Sequence, residues 1–209
     1  MFITLEGGEG AGKSTQAATL AAGLRRAGHS VLLTREPGGA PGAELIRETL
    51  LHGPVAFTPE AETLLHFAAR FEHLTRAILP ALAAGSIVVC DRFTDSTLAY
   101  QGYGHGVAPA RIAALAAMLP AKPDVTFILD VSPAVAARRL SARSRPTDRY
   151  EALDGAFHAR VRAGFRAIAA AEPARCVSLD ADADPAAVAG AIRAALAARG
   201  IRMAHPPAP

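Results

Sequence analysis

One stretch near the start constrains this chain more than any other: Gly7-Gly8-Glu9-Gly10-Ala11-Gly12-Lys13-Ser14, with two glycines spaced ahead of a lysine and a hydroxyl residue. The apolar run Phe2-Ile3-Thr4-Leu5 precedes it, helix formers from Lys13 to Ala27 follow, and Gly28 supplies the stop. A buried strand that turns through glycines into a helix is a cradle for phosphate. Backbone N–H groups wrap the β- and γ-phosphates of a nucleoside triphosphate, and the helix N-terminus adds positive potential. Glycine leaves room for that approach, Lys13 supplies a point charge, and Ser14 can place its hydroxyl on Mg²⁺. Glu9 departs from a generic loop. A carboxylate inside an anion cradle repels phosphate, so Glu9 must face away or serve a hydroxyl of a second substrate.

The rest of the chain repeats the strand and helix alternation. Apolar runs at 30–34, 87–90, 125–129 and 176–179 read as further strands, and helical stretches fall at 42–51, 60–84, 109–118, 133–142, 151–171 and 185–199. Apolar strands without polar alternation, separated by helices, predict a mostly parallel α/β sheet covered on both faces. With 209 residues, 51% hydrophobic and 20% charged, the chain buries its own core and is not disordered. No repeat or linker divides it, so residues 1–202 are expected to form a single domain, with 203–209 a disordered tail. Two cysteines without paired spacing read as reduced thiols, and the apolar runs are of strand length, so the expected location is the cytoplasm, away from membranes. The formal charge of +3 invites a nucleic-acid reading, but lysine occurs only at Lys13 and Lys122 and the arginines are scattered except between Arg138 and Arg149. With no Trp and 5% aromatics, a base-stacking surface is thinly supplied, and no nucleic-acid partner is expected.

Ligands of open α/β sheets gather at the carboxyl ends of strands, and distinctive segments lie there. Thr34-Arg35-Glu36-Pro37-Gly38-Gly39 follows the second strand, and Asp91-Arg92-Phe93 runs on through Ser96 to Gly102 after the third. Asp91 suits Mg²⁺ or its waters, and Arg92 can reach a phosphate. Within Leu65-His66-Phe67-Ala68-Ala69-Arg70, His66 and Arg70 stand four apart on one helical face, where a ring can stack on a base and a guanidinium can bond its edge. Arg138, Arg139, Arg143, Arg145 and Arg149 surround a break at Pro146, which reads as an arginine-bearing lid over about 141–150 that closes on the triphosphate.

Taken together, the glutamate-bearing phosphate loop, Thr34 to Gly39, Phe67 to Arg70, Asp91-Arg92-Phe93 with Ser96 to Gln101, and Asp148-Arg149-Tyr150-Glu151 resemble the thymidylate kinase family. The resemblance implies a three-layer P-loop nucleoside monophosphate kinase fold on a five-stranded parallel sheet, phosphorylation of dTMP to dTDP by ATP with Mg²⁺, and a homodimer. ATP would be held by Gly7, Gly8, Glu9, Gly10, Ala11, Gly12, Lys13, Ser14 and Thr15, and the metal by Ser14 and Asp91. Glu9 would bind the acceptor's 3′-hydroxyl, and Arg92, with Arg47 and Arg35, its phosphate. Arg70 would bond the thymine edge, Thr97 and Gln101 would lie beside the base, and Tyr100 would fill the space a ribose 2′-hydroxyl needs. The family stacks the base on a Phe or Tyr four residues before the arginine; here that residue is His66, with Phe67 beside it, and weaker base binding is expected. Lys13, Arg92, Arg143, Arg145 and Arg149 form the implied catalytic set, and the absence of arginine between Gly7 and Ser14 matches the bacterial branch that carries catalytic arginines in the lid. Two other readings use the same loop: another small P-loop kinase acting on a nucleoside or nucleoside monophosphate, and a nucleotide-dependent switch or regulator.

Overall fold

The computed structural model describes residues 1–142 and 149–203; the lid residues Arg143, Arg145 and Asp148 and the tail residues 204–209 fall outside that range. Its strands are β1 (Phe2–Glu6), β2 (Val31–Arg35), β3 (Ile87–Asp91), β4 (Val125–Asp130) and β5 (Cys176–Asp180). All neighbouring pairs are parallel, in the order β2-β3-β1-β4-β5. The expected parallel sheet is therefore present, each strand within a residue or two of its predicted span. Successive side chains alternate between faces. Ile3, Leu5, Val89, Val125, Phe127 and Leu129 form one core with Ala17, Leu20 and Leu24 of α1 (Lys13–Arg26) and Val188, Ile192 and Leu196 of the C-terminal helix. On the other face Ile128 and Cys176 meet Phe157, Val161, Phe165 and Ile168 of the long helix after residue 154, while Phe2, Val88 and Cys90 meet Leu74, Ile78 and Phe93. Both cysteines are buried free thiols.

The other helices are α2 (Pro41–His52), α3 (Pro59–His73), α4 (Leu79–Ala83), α5 (Thr94–Thr97), α6 (Pro109–Ala117), α7 (Pro133–Ser141), α8 (Gly155–Ala171) and α9 (Pro185–Ala197). The helix expected over 60–84 is α3 and α4 joined by a π-helical turn, Leu74–Ile78, which accommodates Pro80 in the following turn. The helix expected from 151 begins at Gly155, because the Asp154 carboxylate accepts the Phe157 N–H at 2.7 Å and caps it there. Sequence patterning did not reveal α5 and the π-helical segment Leu98–Gly104 as helix. Because the strands are parallel, their carboxyl ends lie along one edge of the sheet, and every one ends in a charged residue: Glu6, Arg35, Asp91, Asp130 and Asp180. That edge carries the site. Among the described residues, no helix is long and apolar enough to cross a membrane.

Candidate active site

The loop between β1 and α1 turns through Gly7, Gly10 and Gly12, all at positive φ. Gly12 offers no side chain to cap α1 and the first turn holds no acid, so the helix opens with N–H groups available to an anion. Lys13 is buried and its Nζ donates to the Gly8 carbonyl at 2.8 Å; burial, then the Arg92 charge, lower its pKa to about 8. Ser14 Oγ donates to Asp91 Oδ2 at 2.5 Å, while Asp91 Oδ1 is buried and finds no hydrogen-bond partner among the described residues. A hydroxyl beside a carboxylate with one unsatisfied oxygen is the oxygen donor set that Mg²⁺ takes alongside nucleotide phosphates, so the residues fit that ion.

Glu9 faces away from the cradle. Its Oε1 accepts from Arg92 Nη2 at 2.5 Å and from the Tyr100 hydroxyl at 2.7 Å. Arg92 also reaches the Gly7 carbonyl at 3.1 Å and Ser96 Oγ at 3.0 Å, with its guanidinium 5.0 Å from the Tyr100 ring centroid. Burial opposes its charge, but the carboxylates of Glu9, Asp91 and Glu6 outweigh that and hold it charged. Arg92 adopts φ 70°, a strained backbone for a residue with a side chain. Glu6, wholly buried at the end of β1, pins this turn: its Oε1 accepts from the Phe93 N–H at 2.7 Å and its Oε2 from Ser96 Oγ at 2.5 Å. Burial and the nearby Asp95 push the Glu6 carboxyl up to about 7. Sequence reasoning passed over Glu6, although an acid ending an otherwise apolar buried strand is a signal of a paid-for internal partner.

A cavity of ≈ 190 Å³ runs from Lys13, Ser14 and Thr15 past Arg92 to His66, Arg70, Thr97, Tyr100, Gln101 and Tyr150. Arg70 is 2% exposed, its guanidinium flanked by the Phe67 and Phe93 rings at 4.9 and 5.0 Å. Its Nε donates to Glu36 Oε2 at 2.7 Å and its Nη2 to Thr97 Oγ1 at 3.1 Å and the Phe93 carbonyl at 3.0 Å, while buried Nη1 has no partner among the described residues. Behind it, Glu36 Oε1 meets His73 Nδ1 at 3.0 Å, and His73 Nε2 meets Thr34 Oγ1 at 2.7 Å. This relay aims one free N–H pair of Arg70, and its supports Glu36 and His73 were not among the expected site residues.

Most expected site residues meet around the cavity, with some differences in station. Arg35 and Arg47 line it, the first paired with Glu44 at 3.1 Å and the second donating to the Pro37 carbonyl at 2.6 Å. His66 faces it, with Nε2 2.8 Å from the Tyr150 hydroxyl; burial, then Arg70 and Arg92, lower its pKa to about 3, so the ring is neutral. Phe67 packs instead with Val107 and Ile112 beneath Arg70. Arg149 donates to the carbonyls of Gly53 and Val55 at 2.7 and 2.9 Å and does not line the cavity. Arg143 and Arg145 lie outside the described residues. Arg139 on α7 reaches the Gly10 carbonyl at 3.3 Å. Cationic groups thus converge from the loop, β2, α2 and the turn after β3 on one cavity, an arrangement able to hold two phosphate groups near each other.

The comparisons with known proteins agree with this geometry. A family model described as Thymidylate kinase matches residues 5–192. The chain is 58% identical over 196 residues to the thymidylate kinase of Gluconobacter oxydans, covering 92% of each chain, and 51% identical over 194 residues to that of Caulobacter vibrioides, covering 91% of this chain and 93% of the relative. The crystal structure of thymidylate kinase from Ehrlichia chaffeensis superposes with a TM-score of 0.77 at 36% identity, across 94% of this chain and 98% of the other. The chain belongs to the thymidylate kinase family.

Proposed function

We propose that this chain transfers the γ-phosphoryl group of ATP to dTMP, giving dTDP and ADP. The observation that carries the reading is one cavity joining the phosphate loop, through Arg92, to a buried Arg70 whose Nη1 has no partner among the described residues. Lys13 and the α1 N-terminus would hold the donor phosphates, and Arg92, with Arg35 and Arg47, the acceptor phosphate. Glu9, held by Arg92 and Tyr100, would accept from the acceptor's 3′-hydroxyl, and Arg70 Nη1 would donate to O4 of thymine. Ser14 and Asp91 would hold Mg²⁺, which when bound offsets charge on the β- and γ-oxygens. The acceptor phosphate is already ionised near neutral pH, so no general base is required. What the protein must do is hold two anions together against repulsion, which is why arginines carry the site. The 141–150 segment is read as the lid of a single domain, with Arg143, Arg145 and Arg149 as its catalytic arginines.

The same reading includes a cytoplasmic homodimer. The dimer draws support from exposed large apolar residues: Leu45 on α2, Leu64 on α3 and Met118 just past α6. A coupled ADP assay with ATP, Mg²⁺ and a set of acceptors tests the activity. dTMP should give the highest turnover, with measurable activity on dUMP because one methyl is worth only about 1–3 kcal/mol in a fitted pocket. Faster turnover of thymidine than of dTMP would make this a nucleoside kinase, and ATP turnover independent of any acceptor would make it a switch.

A further inference from the structure

The wall that carries His66 contains a residue given no role so far. Tyr150 is buried, lines the cavity, and meets the Tyr100 ring edge-on with centroids 5.6 Å apart. Its hydroxyl lies 2.8 Å from His66 Nε2 and 3.5 Å from Gln101 Nε2, and that amide in turn donates to Glu62 Oε1 at 2.8 Å. The Glu62 carboxylate also faces the Tyr150 hydroxyl as an acceptor, and with burial it keeps the phenol protonated. We assign the phenol proton to Glu62 and hence Nε2–H to His66 as the donor, an assignment that the histidine spectra below test.

An imidazole differs from a phenyl ring in having two nitrogens that a dry wall must satisfy. Left without a partner, Nε2–H would turn toward cavity water, and an incoming base would have to displace that water and leave the donor unpaired. A neutral ring with Nε2–H already bonded presents its face at no such cost. We propose that Tyr150 is a positioning residue for acceptor-base recognition: its hydroxyl holds the His66 ring in one tautomer and one orientation as the base-facing wall. This rests on the reading that the cavity takes a thymine nucleotide. The hydroxyl's contacts with His66 and Gln101 are with residues assigned to the base, so its effect is expected on base binding and not on the transferred phosphoryl group.

Tyr150→Phe keeps the ring and its contact with Tyr100 and removes only the hydroxyl. Titration calorimetry of dTMP, thymidine and ATP on the wild type, Tyr150→Phe, His66→Phe and the double variant reads the effect. Tyr150→Phe should weaken dTMP and thymidine alike by about tenfold, the cost of an unpaired buried donor, and leave ATP affinity unchanged. The KM for dTMP should rise with it while kcat falls far less. In the His66→Phe background the second change should cost less than about twofold, since a phenyl ring has no nitrogen to satisfy. Equal losses in both backgrounds, or a loss for dTMP without one for thymidine, would overturn the proposal. ¹⁵N spectra of labelled histidine read the pair without ligand: a single Nε2–H tautomer for His66 in the wild type and a mixture in Tyr150→Phe. An unchanged spectrum defeats the proposal, whereas a wild type that binds neither dTMP nor thymidine defeats the acceptor assignment instead.

Discussion

Arg92 combines a strained backbone with the central charge of the cavity, and the two properties separate by substitution. Arg92→Ala should lower turnover by ~10³ or more, as for other arginines facing a transferring phosphoryl group, while the protein still folds. Arg92→Gly should lose as much activity yet be more stable than Arg92→Ala by roughly 1 kcal/mol, because glycine accepts φ 70° without a Cβ clash. Equal denaturation midpoints for the two variants would show that the turn is not strained. His66 is the second residue whose physics can be isolated. Its folded pKa is depressed to about 3 from an ordinary 6.5, so below pH 6.5 the unfolded chain binds a proton that the folded chain refuses. The stability involved is present above pH 6.5 and lost as pH falls toward 3. His66→Phe removes this dependence, so in urea denaturation the wild type should lose about 1–2 kcal/mol relative to the variant between pH 7 and pH 5. A constant difference would mean that the imidazole takes up its proton in the folded state.

The phosphate loop and α7 act as one piece. Gly10 has φ +73°, and a Cβ there would stand 2.9 Å from the Ala136 carbonyl oxygen and 3.0 Å from its Cα. Gly10→Ala should therefore destabilise the fold by about 1–3 kcal/mol and weaken ATP binding, because either the loop or α7 must move. Gly8 is the control, since nothing among the described residues lies within 4 Å of its Cβ position, and Gly8→Ala should leave the melting temperature unchanged. A Gly10→Ala protein that melts and binds ATP like the wild type would refute the coupling. A second supporting element is α5, whose Asp95 accepts two hydrogen bonds from Arg175 at 2.7 and 3.0 Å, tying the segment that carries Thr97 to the entrance of β5. The sequence separation of these partners hides the pairing from any reading of local pattern.

For the whole molecule, the parallel order β2-β3-β1-β4-β5 brings the ends of β1, β2 and β3 together and so places Arg35 and Asp91 beside one cavity, with Glu6 buried behind the turn that carries Arg92. The faces away from it carry the exposed Leu64 and Met118. Sedimentation equilibrium should give twice the mass of one chain at micromolar concentration, and Leu64→Glu should shift the population toward the single chain. A single-chain mass for the wild type at tens of micromolar would remove the dimer from the reading.

Local chemistry determined much of this protein. Apolar runs bounded by glycine and charge set five parallel strands, and the Gly7 to Ser14 spacing set a phosphate cradle, because both depend on near neighbours in the chain. The residues that the proposed function sets against the ligands, Lys13, Ser14, Arg70 and Arg92, were legible as motifs for the same reason. Their supports were not. Glu6 holding the Arg92 turn, Glu36 and His73 aiming Arg70, and Tyr150 fixing His66 join groups from separate elements. The contacts of Arg149 with the backbone carbonyls after α2 were equally hidden from its motif. A buried charge or ring nitrogen must find a partner wherever the chain brings one, and only the tertiary structure decides which residue that is.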